Sequence, residues 1–183
     1  MLDQDPTTQL INILEQSRSH DYIGENVSQL EHALQAAHFA SKSGAPDHEI
    51  IAALFHDIGH LHAPSDARNM DGFGIERHEH HGADFLASLG MPSSVTELVR
   101  SHVDVKRYLV ARNPDYARKL SSASTETLRM QGGPMTPEEC VAFEQDPQFK
   151  AKLRIRQWDE MAKVENLDCA PLEHYAPMIA KLL

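Results

Sequence analysis

The sequence predicts an all-α protein. Apolar residues recur at spacings of three and four, Pro, Gly, Ser and Asp punctuate the chain at helix-length intervals, and no run reads as a strand. A first helix spans residues 7–17, with Leu10, Ile11, Ile13 and Leu14 on one side. Asp21-Tyr22-Ile23-Gly24-Glu25 reads as a loop. A second helix covers residues 26–43 with a stripe of Val27, Leu30, Leu34 and Ala37, His32 off it, and Gly44 placed as its C-terminal cap. Pro46 and Asp47 open a third, which carries Ile50, Ile51, Leu54 and Phe55 on to residue 60.

Residues 61–74, with Pro64, Ser65, Asp66, Asn69, Asp71, Gly72 and Gly74, form a long loop, and loops of that length are often functional. Helix resumes over residues 75–89 and stops at Gly90. Met91-Pro92-Ser93-Ser94 starts the next, with Ser94 and Glu97 spaced as a capping box, and the pattern continues to residue 111. A further helix follows Asn113-Pro114, then one over residues 121–130, then a turn at Gln131-Gly132-Gly133-Pro134. Thr136-Pro137, with Glu139 as box partner, and Asp146-Pro147 each open a helix with Pro at its first position. The second of these carries Phe149, Leu153, Ile155, Trp158 and Met161, with Trp158 as an anchor beside Arg156 and Asp159; Met130, Met135 and Met161 are packing residues. A last helix starts near residue 172. No repeat, linker or low-complexity segment interrupts the chain, so residues 1–183 are expected to be a single domain.

Charge narrows the function. Lys+Arg number 17 against 27 Asp+Glu, a net charge of −10, which argues against a nucleic-acid partner that would need clustered cations. The longest apolar run, six residues from Ile50 to Phe55, is far short of the roughly 20 that span a bilayer. No membrane segment is expected, and the acidic start Met1-Leu2-Asp3-Gln4-Asp5-Pro6 is unlike a secretory signal, so the expected location is the cytoplasm. Cys140 and Cys169 have no neighbouring Cys and are read as free thiols.

Histidine is over-represented. Of 12, seven (His56, His60, His62, His78, His80, His81 and His102) fall within one stretch. His56 and Asp57 end an apolar helix, where adjacent side chains point about 100° apart, so both reach one cation only if it lies beside the helix, with Asp57 free to bridge a second. His60 shares the face of His56 one turn on. The same pair could instead cap the helix end and face water. Recurrence decides for metal: His32, His78 and His102 sit on other predicted helices, and Asp159 follows Trp158. Four imidazoles and two carboxylates suit a pair of borderline divalent ions such as iron, manganese or zinc, not calcium. His20, His38, His48, His62, His80, His81 and His174 are left as surface or core polar residues.

These six residues stand in the order of the ligand set of HD-domain metalloproteins, which the sequence resembles. More narrowly, it resembles the small HD-domain mixed-valent diiron oxygenases that cleave carbon–phosphorus bonds. The likeness runs along nearly the whole chain through Tyr22-Ile23-Gly24-Glu25, Gln29-Leu30-Glu31-His32, His56-Asp57-Ile58-Gly59-His60, His102-Val103 with Lys106-Arg107-Tyr108, Gln131-Gly132-Gly133-Pro134-Met135 and Arg156-Gln157-Trp158-Asp159-Glu160. The His-Asp doublet alone marks a superfamily dominated by phosphohydrolases; the lysine helix, the Gly-Gly-Pro turn and the Trp-Asp segment are the specific parts.

The resemblance implies a helical HD-domain bundle holding two iron ions as Fe(II)/Fe(III), one on His32, His56, Asp57 and Asp159, the other on Asp57, His78 and His102, with Asp57 bridging. It implies O2 as co-substrate and a 1-hydroxyphosphonate substrate, oxidised to a carboxylate and phosphate. His60, Lys106, Ser124 and Arg156 would surround the phosphonate, Glu25 would face the substrate's cationic nitrogen, and Tyr22 would sit beside an iron; Tyr22, His60 and Lys106 are the catalytic candidates. Departures from the pattern of amine-specific members, at Met70-Asp71-Gly72-Phe73-Gly74-Ile75-Glu76-Arg77 and at Asn26, leave two head groups open. The substrate is 2-amino-1-hydroxyethylphosphonate or its N-trimethyl analogue, with Tyr22, Phe73 and Tyr108 as aromatic candidates for the latter. A separate Fe(II)/2-oxoglutarate hydroxylase would supply it. The competing readings are a metal-dependent phosphohydrolase acting on a nucleotide or phosphate ester, and a metal-binding regulatory module without turnover.

Overall fold

The structure, a computed structural model, describes residues 5–22 and 24–183; residues 1–4 and Ile23, parts of the acidic start and of the Tyr22-Ile23-Gly24-Glu25 segment, lie outside it. Among the described residues there are ten α-helices and no strand, only two isolated bridges that close loops, Asp21 to Ser28 and Asn69 to Ile75. The all-α expectation holds.

Helix α1 (Pro6–Gln16) buries Leu10 and Leu14, with Asp5 as its cap. Helix α2 (Gln29–Lys42) starts three residues later than the periodicity suggests. Ser28 and Glu31 form a complete capping box there, which satisfies two otherwise orphaned N–H groups and fixes the start. Helix α3 (Asp47–Phe55) is shorter than expected: the chain tightens into a 3-10 turn over Ile58–His60. Helix α4 (His78–Ser88) begins at His78, because Arg77 adopts a left-handed conformation that helix cannot include.

Helix α5 (Ser93–Arg112) lacks the expected Ser94 and Glu97 box. It starts at Ser93, two residues too early for Ser94 to cap, and Glu97 lies beside Arg100 instead. Helices α6 (Pro114–Lys119) and α7 (Ser122–Met130) are capped by Asn113 and Ser121. Helix α8 (Pro137–Glu144) has the predicted Thr136 and Glu139 box. Helix α9 (Phe149–Met161) starts two residues beyond Pro147, since the Asp146 carboxylate accepts from Gln148 N–H and ties residues 146–148 into a turn. Helix α10 (Ala176–Leu182) follows a 3-10 turn and packs on α1 and α3.

The frame of the site is four helices, with α2 on α3 and α9, and α5 on α3 and α9. Leu54, Phe55, Leu98, Ile155 and Trp158 form its interior; each large apolar side chain so buried contributes on the order of 1.5–3 kcal/mol. Alanine at the buried positions Ala33, Ala36, Ala37, Ala52 and Ala53 keeps the α2 and α3 ridges low. Buried Glu49 is gripped by the Arg154 fork at 2.6 and 2.8 Å, which ties α3 to α9. Met161 departs from expectation: it is 42% exposed and does not join the Ile155 and Trp158 face.

Candidate metal centre

His32 comes from α2, His102 from α5 and Asp159 from α9; His56 caps α3, and Asp57 leaves the helix at φ −103°, ψ 8°. That break lets Asp57 reach toward α4 with one oxygen while the other stays beside His56. Gly59 makes the approach possible. A Cβ there would collide with the His78 carbonyl oxygen and lie 2.7 Å from Gly82 N, so only glycine lets this turn meet the start of α4.

The four ligand-type histidines are arranged alike. Each Nδ1 faces a backbone carbonyl: His32 to Ala162 at 2.8 Å, His56 to Ala53 at 2.8 Å, His102 to Val99 at 2.8 Å and His78 to Ile75 at 3.2 Å. A carbonyl only accepts, so Nδ1 carries the proton and Nε2 is left with a bare lone pair. These lone pairs meet, His32 and His56 at 3.0 Å, His78 and His102 at 2.9 Å. Asp57 serves both pairs: Oδ2 lies 3.4 Å from His56 and 3.8 Å from His32, while Oδ1 lies 3.3 Å from His102 and 3.4 Å from His78. Asp159 Oδ1 lies 3.5 Å from His32, buried and without a hydrogen-bond partner.

Bare lone pairs aimed at one another, beside an orphaned carboxylate oxygen, are donors that could hold a cation on each side of Asp57. Without a cation, protons must do the work. Burial works against a charged His56, but Asp57 and then Asp159 outweigh it and raise its pKa to about 9. Burial and the neighbouring His56 charge push His32 down to about 4. Burial disfavours both carboxylates in their charged form, but the neighbouring His56 charge lowers Asp57 and Arg156 lowers Asp159.

A cleft opens onto Asp57 and is lined by Tyr22, His60, Phe73, Lys106, Ser124, Gln131 and Arg156 among others. Tyr22 stacks on His32 with ring centres 3.8 Å apart. His60 stacks on His78 and accepts from Ile75 N–H through Nδ1 at 3.0 Å. Burial and His78 hold it neutral, so its remaining proton is on Nε2 and it is a donor. Donor atoms of Asp57, His60 and His78 also lie within 4.8 Å of one another.

Lys106, 4% exposed, donates to neutral Thr127 at 2.9 Å; burial and then Arg156 push it down to about 7. Arg156 is engaged by three partners: Asp159 at 2.6 Å, Tyr116 at 2.9 Å, and Glu160. Ser124 is not a helix cap, since Ser121 caps α7, and it lines the cleft.

Of the residues singled out in the sequence for substrate contact, this cleft leaves out Glu25 and Tyr108. Glu25 sits on an outer groove, 3.4 Å from Lys163, and does not line the metal cleft. Tyr108 is likewise elsewhere, against Phe143 and Phe149. Sequence reading missed Thr127, Tyr116 and the Gln131 side chain, whose buried Oε1 has no partner. Thr127 on α7 and Gln131 at its C-terminal cap both face the cleft, a pattern invisible until α7 is docked.

A helical bundle closing four histidines and two aspartates around a shared carboxylate defines a metal-centred HD-type protein. The HD domain family matches residues 29–146, and the chain belongs to it. A 1-hydroxy-2-(trimethylamino)ethylphosphonate dioxygenase (glycine-betaine-forming) of Leisingera caerulea is 39% identical over 171 residues, 93% of this chain and 87% of that protein. The hydroxymethylphosphonate dioxygenase of Gimesia maris is 41% identical over 177 residues, 95% and 88% of the two chains. An uncharacterized protein of Acanthamoeba polyphaga mimivirus is 38% identical over 175 residues, 95% and 80%.

Proposed function

We propose that this chain is a metal- and O2-dependent oxygenase that cleaves the carbon–phosphorus bond of 1-hydroxy-2-(trimethylammonio)ethylphosphonate, giving glycine betaine and phosphate. The observation that carries the reaction class is the shared carboxylate of Asp57 between two imidazole pairs, in a chain 39% and 41% identical to two named phosphonate dioxygenases. The reaction balances: the hydroxyphosphonate plus O2 gives the carboxylate, hydrogen phosphate and one proton, with carbon and phosphorus each gaining one oxygen.

Two iron ions, Fe(II)/Fe(III), would be held by His32, His56, Asp57 and Asp159 and by Asp57, His78 and His102, and when bound would supply the redox chemistry and the Lewis acidity that aligns the hydroxyl and phosphonate oxygens. The protein side is orientation. Lys106 binds the phosphonate as a point charge, since its one hydrogen bond is to a neutral hydroxyl and leaves its charge for the ligand. His60 Nε2–H and the Ser124 hydroxyl are further donors, and Arg156 neutralises Asp159 and Glu160 while adding positive potential. Tyr22, its phenol kept protonated by burial and by Asp159 and Asp57, covers His32 and excludes water.

Head-group choice rests on what the cleft lacks. Its carboxylates are Asp57 and Asp159, both committed to the centre, while Glu25 pairs with Lys163 outside. A primary ammonium would find no carboxylate partner, whereas a trimethylammonium needs none and is drawn to the faces of Phe73 and Tyr22. Supply of this substrate requires hydroxylation at the carbon next to phosphorus, the work of a separate Fe(II)/2-oxoglutarate hydroxylase.

The test compares kcat/KM for 1-hydroxy-2-(trimethylammonio)ethylphosphonate, 2-amino-1-hydroxyethylphosphonate and hydroxymethylphosphonate. The trimethylammonio compound is expected to lead by tenfold or more; a lead for either other compound rejects the head group and leaves the reaction class standing.

A further inference from the structure

We propose that Glu79 is a positioning residue for His78, acting on its Nδ1 edge, and that it strengthens cation binding selectively at the His78 and His102 half of the centre. The inference rests on reading the site as a two-cation centre.

Three of the four Nδ1 groups make 2.8 Å bonds to carbonyls, but His78 reaches Ile75 O only at 3.2 Å. Its other acceptor neighbour is Glu79 Oε2 at 3.7 Å, an oxygen that is buried and has no hydrogen-bond partner. The whole residue is 7% exposed, and its second oxygen lies 3.7 Å from His80 Nε2. A buried carboxylate without a hydrogen bond is costly. The first turn of α4 offsets part of that cost through the positive end of the helix dipole. A cation on His78 Nε2 would offset more, because it makes Nδ1–H a stronger donor and an adjacent carboxylate its natural partner.

The two halves of the centre also differ in charge. His32 and His56 have Asp159 as well as Asp57, whereas His78 and His102 have only a share of Asp57. Glu79 supplies negative charge to the poorer half at one remove, through the imidazole.

The experiment titrates metal-free protein anaerobically with Co(II), followed by its visible absorption, and with Zn(II) by calorimetry. Wild type is expected to take up two ions in two steps. Glu79→Gln, which keeps size and removes charge, weakens one step by about 10- to 100-fold and leaves the other within about threefold. Glu79→Asp, which keeps the charge, loses less. Unchanged steps in Glu79→Gln, two steps shifted equally, or equal losses in Asp and Gln variants would overturn the proposal. A wild type that binds fewer than two ions overturns the two-cation reading itself. One readout needs no variant to fold: in Zn-loaded wild type labelled at histidine nitrogen, the His78 Nδ1–H proton resonates downfield of those of His32, His56 and His102, and a shift within their range also overturns it.

Discussion

Arg156 donates to Asp159 Oδ2 at 2.6 Å from one turn back on α9, and so turns the other oxygen of Asp159 toward His32. The contact is buried on both sides, 6% and 2% exposed, where removing one partner of an ion pair costs about 3–5 kcal/mol. Arg156→Lys keeps a charge but gives up the fork that also reaches Tyr116 and Glu160. It is expected to lower metal affinity at the His32 and His56 half by about tenfold, read as metal retained after dialysis against a chelator.

Lys106 sets a pH limit on substrate capture. Burial and then Arg156 bring it down to about 7, so in the free enzyme the ammonium is present below that pH and lost as pH rises through it. The account predicts that kcat/KM falls on the alkaline side of about pH 7, while kcat, measured with the phosphonate bound beside the lysine, holds to higher pH. Lys106→Arg removes that limb because the guanidinium stays charged. Lys106→Met lowers kcat/KM by on the order of 10- to 100-fold, the worth of a charge-assisted hydrogen bond.

Gly74 fixes His60. Its φ is +95°, and a Cβ built there would lie 2.5 Å from His60 Cε1, on the loop whose next residue donates to His60 Nδ1. Gly74→Ala is therefore expected to displace the imidazole, reducing kcat by tenfold or more while the two metal-binding steps stay as in wild type.

Phe73 tests the head group. Phe73→Leu keeps apolar volume and removes the aromatic face, so KM for the trimethylammonio substrate rises by about tenfold, the size of a desolvated cation–π contact, while KM for hydroxymethylphosphonate changes little. Equal changes for both substrates would assign Phe73 to packing alone.

Much of this was legible because helices announce themselves locally. The Thr136 and Glu139 box, the proline starts and the three- and four-residue spacings are read from neighbours in the chain, and His32, His56, Asp57, His78, His102 and Asp159, singled out by their order, are brought together by the fold. What failed depended on contacts between distant segments. Helix α3 stops at Phe55 because the turn at Gly59 must meet α4, and Ser94 does not cap because α5 starts two residues early. The outward place of Glu25 depends on Lys163, 138 positions away (163 − 25), and the role of Tyr116 depends on Arg156. No spacing rule reaches those pairs.

The most direct measurement of the central claim follows phosphate and O2 together in iron-loaded protein given 1-hydroxy-2-(trimethylammonio)ethylphosphonate. The account predicts one O2 consumed and one glycine betaine formed for each phosphate released, with no phosphate under argon. Phosphate released at the same rate without O2, or turnover confined to phosphate esters, would contradict it and make the chain a metal-dependent phosphohydrolase.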